Sequence, residues 1–91
     1  MDNQEKLLLW ISQRYPNMAF KTSAIKEYAY KNPTNRADRD KRILVEKGLL
    51  RRIKDSWEKE GYGYFDNKED MYILTDLGKI KVKSLGQMQL F

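Results

Sequence analysis

Apolar side chains recur at steps of three and four in three successive segments, and after residue 48 the pattern changes to alternation. In residues 3–15, Leu7, Leu8, Ile11 and Tyr15 line one face of a helix, which Pro16 and Asn17 then stop. Leu9 and Trp10 widen that stripe. This is expected either of a helix sandwiched between neighbours or of one that also makes a dimer contact. Met18, Ala19 and Phe20 form a short extended piece, and Thr22 or Ser23 is placed to cap a second helix with Ile25, Tyr28 and Ala29 on its buried face. Pro33 disfavours helical geometry at Asn32 and ends that helix. Thr34 or Asn35 then caps a third, which runs free of Gly and Pro as far as Gly48.

Gly48 sits where a helix ends on a residue of positive φ, with Leu49 and Leu50 after it as the apolar clamp. LLRRIKDSW is β-compatible, and in MYILT the residues Tyr72 and Leu74 alternate with Met71 and Ile73. The stretch between these strands, EKEGYGYFDNKED, reads as a long hairpin loop. DLGKIKVKSLG is expected to close the domain as a short helix with Leu77, Ile80 and Leu85 turned inward. Together the elements predict a mainly α fold with a small β-hairpin, an α+β domain over residues 1–86, followed by a free peptide at 87–91.

The third helix combines a core face with a basic one. Ala37 and Leu44, seven apart, should face inward with Val45, leaving Asn35, Arg36, Arg39, Asp40, Arg42 and Ile43 on the remaining arc. Two readings apply to that arc. In one it is a solvated surface where pairs such as Asp38 and Arg42 each add about 0.2–0.5 kcal/mol. In the other, Arg36 and Arg39 meet duplex DNA, where a guanidinium forks onto guanine for roughly 1–3 kcal/mol of discrimination. The helix follows a tight turn and precedes a hairpin, and that placement favours the second reading.

Composition narrows the chemistry. The 91 residues contain neither Cys nor His, which removes disulfides, thiolate metal sites, the commonest zinc ligand and the usual general base. Glu69 and Asp70 are adjacent carboxylates that point different ways on an extended segment, so no enzyme and no cofactor are expected. No apolar run approaches the roughly 20 residues of a membrane span, and a cytoplasmic location is expected. The net charge of +5 suits a polyanionic partner, and its placement says more. Residues 34–59 hold nine Lys/Arg against five Asp/Glu, whereas residues 60–70 hold one Lys against four acids.

RADRDKRILVEKGLLRR, followed at a distance by YILTDLGK, resembles bacterial winged helix-turn-helix domains. These often carry A-x-R-D-x-x-x-L-V-E-K-G-L-L and a later Y-x-L-T-x-x-G-K. The resemblance covers residues 22–82 and implies three helices, a β-hairpin wing and sequence-specific binding of duplex DNA. It implies core roles for Ala37, Leu44 and Leu49, a helix stop at Gly48, and a cap of the closing helix at Thr75. Thr34, Asn35, Arg36, Arg39 and Arg42 become groove or phosphate contacts, joined by Arg51, Arg52 and Lys54 at the base of the wing. Lys41 stands where the family pattern is often apolar, and the tip of the wing is acidic where a phosphate-tracking wing is usually basic.

Trp57, Tyr62, Tyr64 and Phe65 cluster in that loop. Their acidic flanks favour packing across the hairpin or a protein contact over stacking on single-stranded bases. The terminal QMQLF resembles the bacterial sliding-clamp binding peptide, with Gln87, Met88, Leu90 and Phe91 matching in kind. The expectation is therefore a bacterial or phage protein that binds double-stranded DNA in transcription regulation or DNA replication. One helix reads few base pairs, which leaves room for a homodimer through the first or last helix. The alternative is a protein-interaction adaptor that uses the acidic aromatic wing and the QMQLF peptide to hold a partner such as the sliding clamp.

Overall fold

A computed structural model describes residues 1–53 and 70–88, with side chains as far as residue 86. The elements are α1 (Asn3–Arg14), β1 (Phe20–Lys21), α2 (Ala24–Lys31), α3 (Ala37–Glu46), β2 (Leu50–Ile53), β3 (Met71–Leu74) and α4 (Asp76–Met88). Among the described residues they form a mixed α+β fold with four helices and one antiparallel sheet in the order β1-β3-β2.

Local chemistry explains most of the boundaries. Asp2 caps α1 through its carboxylate, which accepts the Glu5 backbone N–H at 2.8 Å, and the Glu5 carboxylate accepts the Asp2 N–H at 3.0 Å. This reciprocal box satisfies two helix-end donors. The Asp2 N–H and the nearby Lys81 ammonium hold the Glu5 carboxyl below its ordinary value of 4.5, against the opposing effect of burial. Gly48 ends α3 with φ 76°, as the sequence predicts. Thr75 fills the expected capping role: its hydroxyl accepts the Gly78 N–H at 2.9 Å and donates to the Gly48 carbonyl at 2.6 Å. One side chain thus ties the start of α4 to the turn that follows α3.

Two other expected caps are not made. Ser23 precedes α2 in helical geometry (φ −61°, ψ −24°) and makes no side-chain cap bond. The neighbouring Thr22 hydroxyl instead donates to the Asp70 carbonyl at 3.1 Å. Arg36, not Thr34 or Asn35, occupies the N-cap of α3, and no side chain caps that helix. The Asn35 amide is engaged elsewhere, donating to the Tyr28 hydroxyl at 3.3 Å.

The sheet adds a strand to the expected pair. Phe20 and Lys21 pair with Tyr72 and Met71, while Leu50–Ile53 pair with Leu74–Met71 in reverse order. Since side chains alternate across a sheet, Phe20, Leu50, Tyr72 and Leu74 share the core face. They meet Leu7, Leu8 and Ile11 of α1, Ile25 and Tyr28 of α2, and Ala37 and Leu44 of α3. Each fully buried leucine contributes roughly 1.5–3 kcal/mol. Trp10 is half-buried and lies 5.5 Å from the Tyr28 ring and 6.3 Å from Tyr15, so the widened stripe of α1 is partly covered within the monomer.

Helix α4 departs from expectation in its orientation and its length. Gly78, Val82 and Leu85 face the domain, whereas Leu77 and Ile80 are 54 % and 65 % exposed. The cause is the close approach at Gly78. A Cβ there would run into the Leu49 carbonyl oxygen, so the inward meridian passes through the residue with no side chain. The helix also continues through Gly86 to Met88, which places Gln87 and Met88 in its last turn instead of in a free peptide. Among the described residues no helix is long and apolar enough to cross a membrane.

Candidate nucleic-acid interface

The row Arg36, Arg39, Arg42 begins at the N-cap of α3 and follows its solvent face, because Ala37 and Leu44 fix the opposite face in the core. All three arginines are exposed, and none forms a side-chain ion pair among the described residues. The Asp38 and Arg42 ion pair of the solvated-surface reading is not formed. With Thr22, Lys26 and Ala29 from the α2 segment, and with Asn35 and Asp38, the three arginines line an open cavity of about 540 Å³ between α2 and α3. Four cationic side chains thus share one concave surface with a single carboxylate. Such a surface attracts a polyanion, and its guanidinium groups carry donors in the fork that matches phosphate oxygens and guanine edges.

The turn holding this surface is short and internally bonded. Residues 32–36 join α2 to α3. Within them the Asn32 amide donates to the Tyr28 carbonyl at 2.9 Å, and the Asn35 N–H donates to the Asn32 carbonyl at 3.0 Å. Thr34 is exposed beside the cavity residues but does not line it.

Asp40, by contrast, leaves the exposed arc, and Lys41 beside it is buried as well. Asp40 is 3 % exposed; its Oδ1 accepts the Gln4 side-chain N–H at 3.0 Å, and its Oδ2 has no partner. Lys41 is also buried, with its ammonium 4.7 Å from the centre of the Tyr72 ring. Ile43 is half-buried. The exposed basic row is therefore narrower than the sequence arc and consists of every third residue, Arg36, Arg39 and Arg42.

The strand cations stand apart from the cavity. Arg51 is exposed opposite Ile73, on the sheet face away from the core. Arg52 is bound to Asp70, with Nη2 2.7 Å from the carboxylate, and that hydrogen bond holds its proton more tightly than usual. Lys54, the aromatic cluster of the hairpin loop, Leu90 and Phe91 lie outside the described residues, as do the side chains of Gln87 and Met88. Lys26 and Thr22 line the cavity but were not among the candidates read from the sequence. Lys26 is one of many lysines in the chain, and only the packing of α2 on α3 sets it beside the arginines. Comparison of the chain with family models, with curated proteins and with solved structures found no match.

Proposed function

We propose that the chain is a winged-helix domain that binds duplex DNA, acting in bacterial or phage transcription control or replication. The observation that carries this reading is the row Arg36, Arg39, Arg42, left without acidic partners among the described residues and joined by Lys26 along the cavity between α2 and α3. An α-helix with its side chains is roughly 10–12 Å across and the major groove is about 12 Å wide, so α3 enters with its arginine row toward the base edges. Arg39 reads bases, and Lys26 and Arg42 meet the flanking phosphates. Asp38 suits a cytosine amino group, the base-edge donor that a carboxylate accepts. On the strand side Arg51 is the backbone contact, since Arg52 is already held by Asp70.

The test is titration of the full chain against random duplex as salt rises, followed by selection of bound sequences from a random pool. The expected result is a linear fall of log K with log salt, at about 0.9 per neutralised phosphate, together with enrichment of a motif. Absence of binding at low salt rejects the reading. Binding without enrichment reduces α3 to a backbone contact.

A further inference from the structure

Helix α4 carries a second outward face that the DNA reading does not use. Gly78, Val82 and Leu85 point into the domain. At about 100° per residue the opposite meridian passes between Asp76 and Ile80, with Lys83 and Ser84 on its flanks and Leu77 at its edge, beside the turn at Gly48. All five are exposed. Leu77 and Ile80 stand beside Met1, Met18 and Tyr30 among the large apolar side chains open to solvent in the described residues, and only these two share a helix. The stripe has an order: an acid at its start, an apolar pair in the middle, a base two turns later. Neither Asp76 nor Lys83 has an ion-pair partner among the described residues.

That order is self-complementary. We infer that this face is covered by a second copy of the chain, with α4 packed antiparallel on α4 about a two-fold axis beside Ile80, Asp76 of each protomer meeting Lys83 of its partner. In that arrangement Ile80 meets its own copy at the axis, Leu77 packs on the partner's helix between Ile80 and Lys83, and the two charge pairs close the ends. An interface in which the same patch serves both subunits closes as a dimer. Parallel packing would set Asp76 against Asp76 and Lys83 against Lys83, so charge selects the antiparallel register. Lys79 falls to the side of the stripe, where solvent and salt screen it. Two apolar residues per protomer make a small interface, so association is weak and reversible. Its consequence for DNA is two copies of α3 related by a two-fold axis, as a palindromic site requires. The inference itself does not rest on DNA binding.

The experiment is sedimentation of the full chain without DNA over a wide concentration range, with circular dichroism to confirm that each variant folds. The expected result is concentration-dependent dimerisation that is abolished by Ile80→Glu and weakened roughly tenfold by Lys83→Glu, which turns two attractive pairs into two repulsive ones. Adding Asp76→Lys to Lys83→Glu should restore the original association. The inference is overturned by a monomer at every concentration, by a dimer indifferent to Ile80→Glu, or by a folded double variant as weak as Lys83→Glu alone. Should Asp76→Lys prevent folding, the two other variants decide. All of these outcomes are read without DNA, so the two readings fail separately.

Discussion

Lys41 is a core residue that carries a charge. It is 7 % exposed in a position where the resembling pattern is often apolar, and its ammonium rests 4.7 Å from the Tyr72 ring centre. The four-carbon stem does the packing of an aliphatic side chain, and the ring face takes the charge. If the stem matters most, Lys41→Met should shift stability by no more than about 1 kcal/mol, the size of a modest cation–π contact. Lys41→Ala should cost about 2 kcal/mol or more through the cavity it leaves. Urea midpoints at constant m-value would check this, and equal losses in the two variants would assign the residue's role to its charge. Asp40 was not legible as buried, because aspartate is among the residues least often enclosed, and Lys41 was marked only by standing where the resembling pattern is often apolar. Their burial follows from helical phase: Ala37 and Leu44 point inward, Lys41 stands between them one turn from each, and Asp40 faces Gln4 on α1.

At the scale of elements, α4 shows how a helix can be legible while its orientation is not. Two stripes compete along DLGKIKVKSLG, one through Leu77 and Ile80 and one through Gly78, Val82 and Leu85. Hydropathy favours the first because glycine contributes nothing to it, yet backbone proximity at Leu49 selects the second. The same substitution should therefore have opposite signs at two glycines of one helix. Gly78→Ala would push a Cβ into the Leu49 carbonyl and to 2.8 Å from the Leu74 Cδ1, so α4 must lift, at a net cost of about 2–3 kcal/mol. Gly86→Ala meets nothing within 4 Å and should gain about 0.5–1 kcal/mol from helix propensity. Thermal melting of the two variants separates these cases; a loss at both positions would contradict the open space around Gly86. The first three helices were legible because their apolar spacing is regular and their stops, Pro16, Pro33 and Gly48, are local. β1 was legible only as an extended piece over residues 18–20, since two residues carry no period that would reveal a paired strand. It exists through its pairing with Tyr72 and Met71, about fifty positions away.

At the scale of the molecule, the ion pairs among the described residues leave one concave cluster of cations uncompensated. Glu27 binds Arg14 and Lys31, Asp70 binds Arg52, and Glu5 binds Lys81. Lys26, Arg36, Arg39 and Arg42 have no such partner among the described residues, and they gather on the cavity between α2 and α3. The arginine row was visible in the sequence as a step of three on a helix whose inward face was fixed by Ala37 and Leu44. Lys26 was not, because its place depends on how α2 packs. This distribution separates three cations that composition treats alike. If the cavity seats duplex DNA, Lys26→Gln should lower affinity for all sequences and reduce the salt slope by about one, as loss of a phosphate contact does. Arg39→Ala should cost roughly 1–3 kcal/mol on a selected site and less on random duplex, as loss of a base contact does. Arg52→Gln should leave the slope nearly unchanged, because its guanidinium is already neutralised by Asp70 at 2.7 Å. Binding isotherms at four or more salt concentrations would measure all three. A slope that responds to Arg52 but not to Lys26 would move the interface from the helices to the strand.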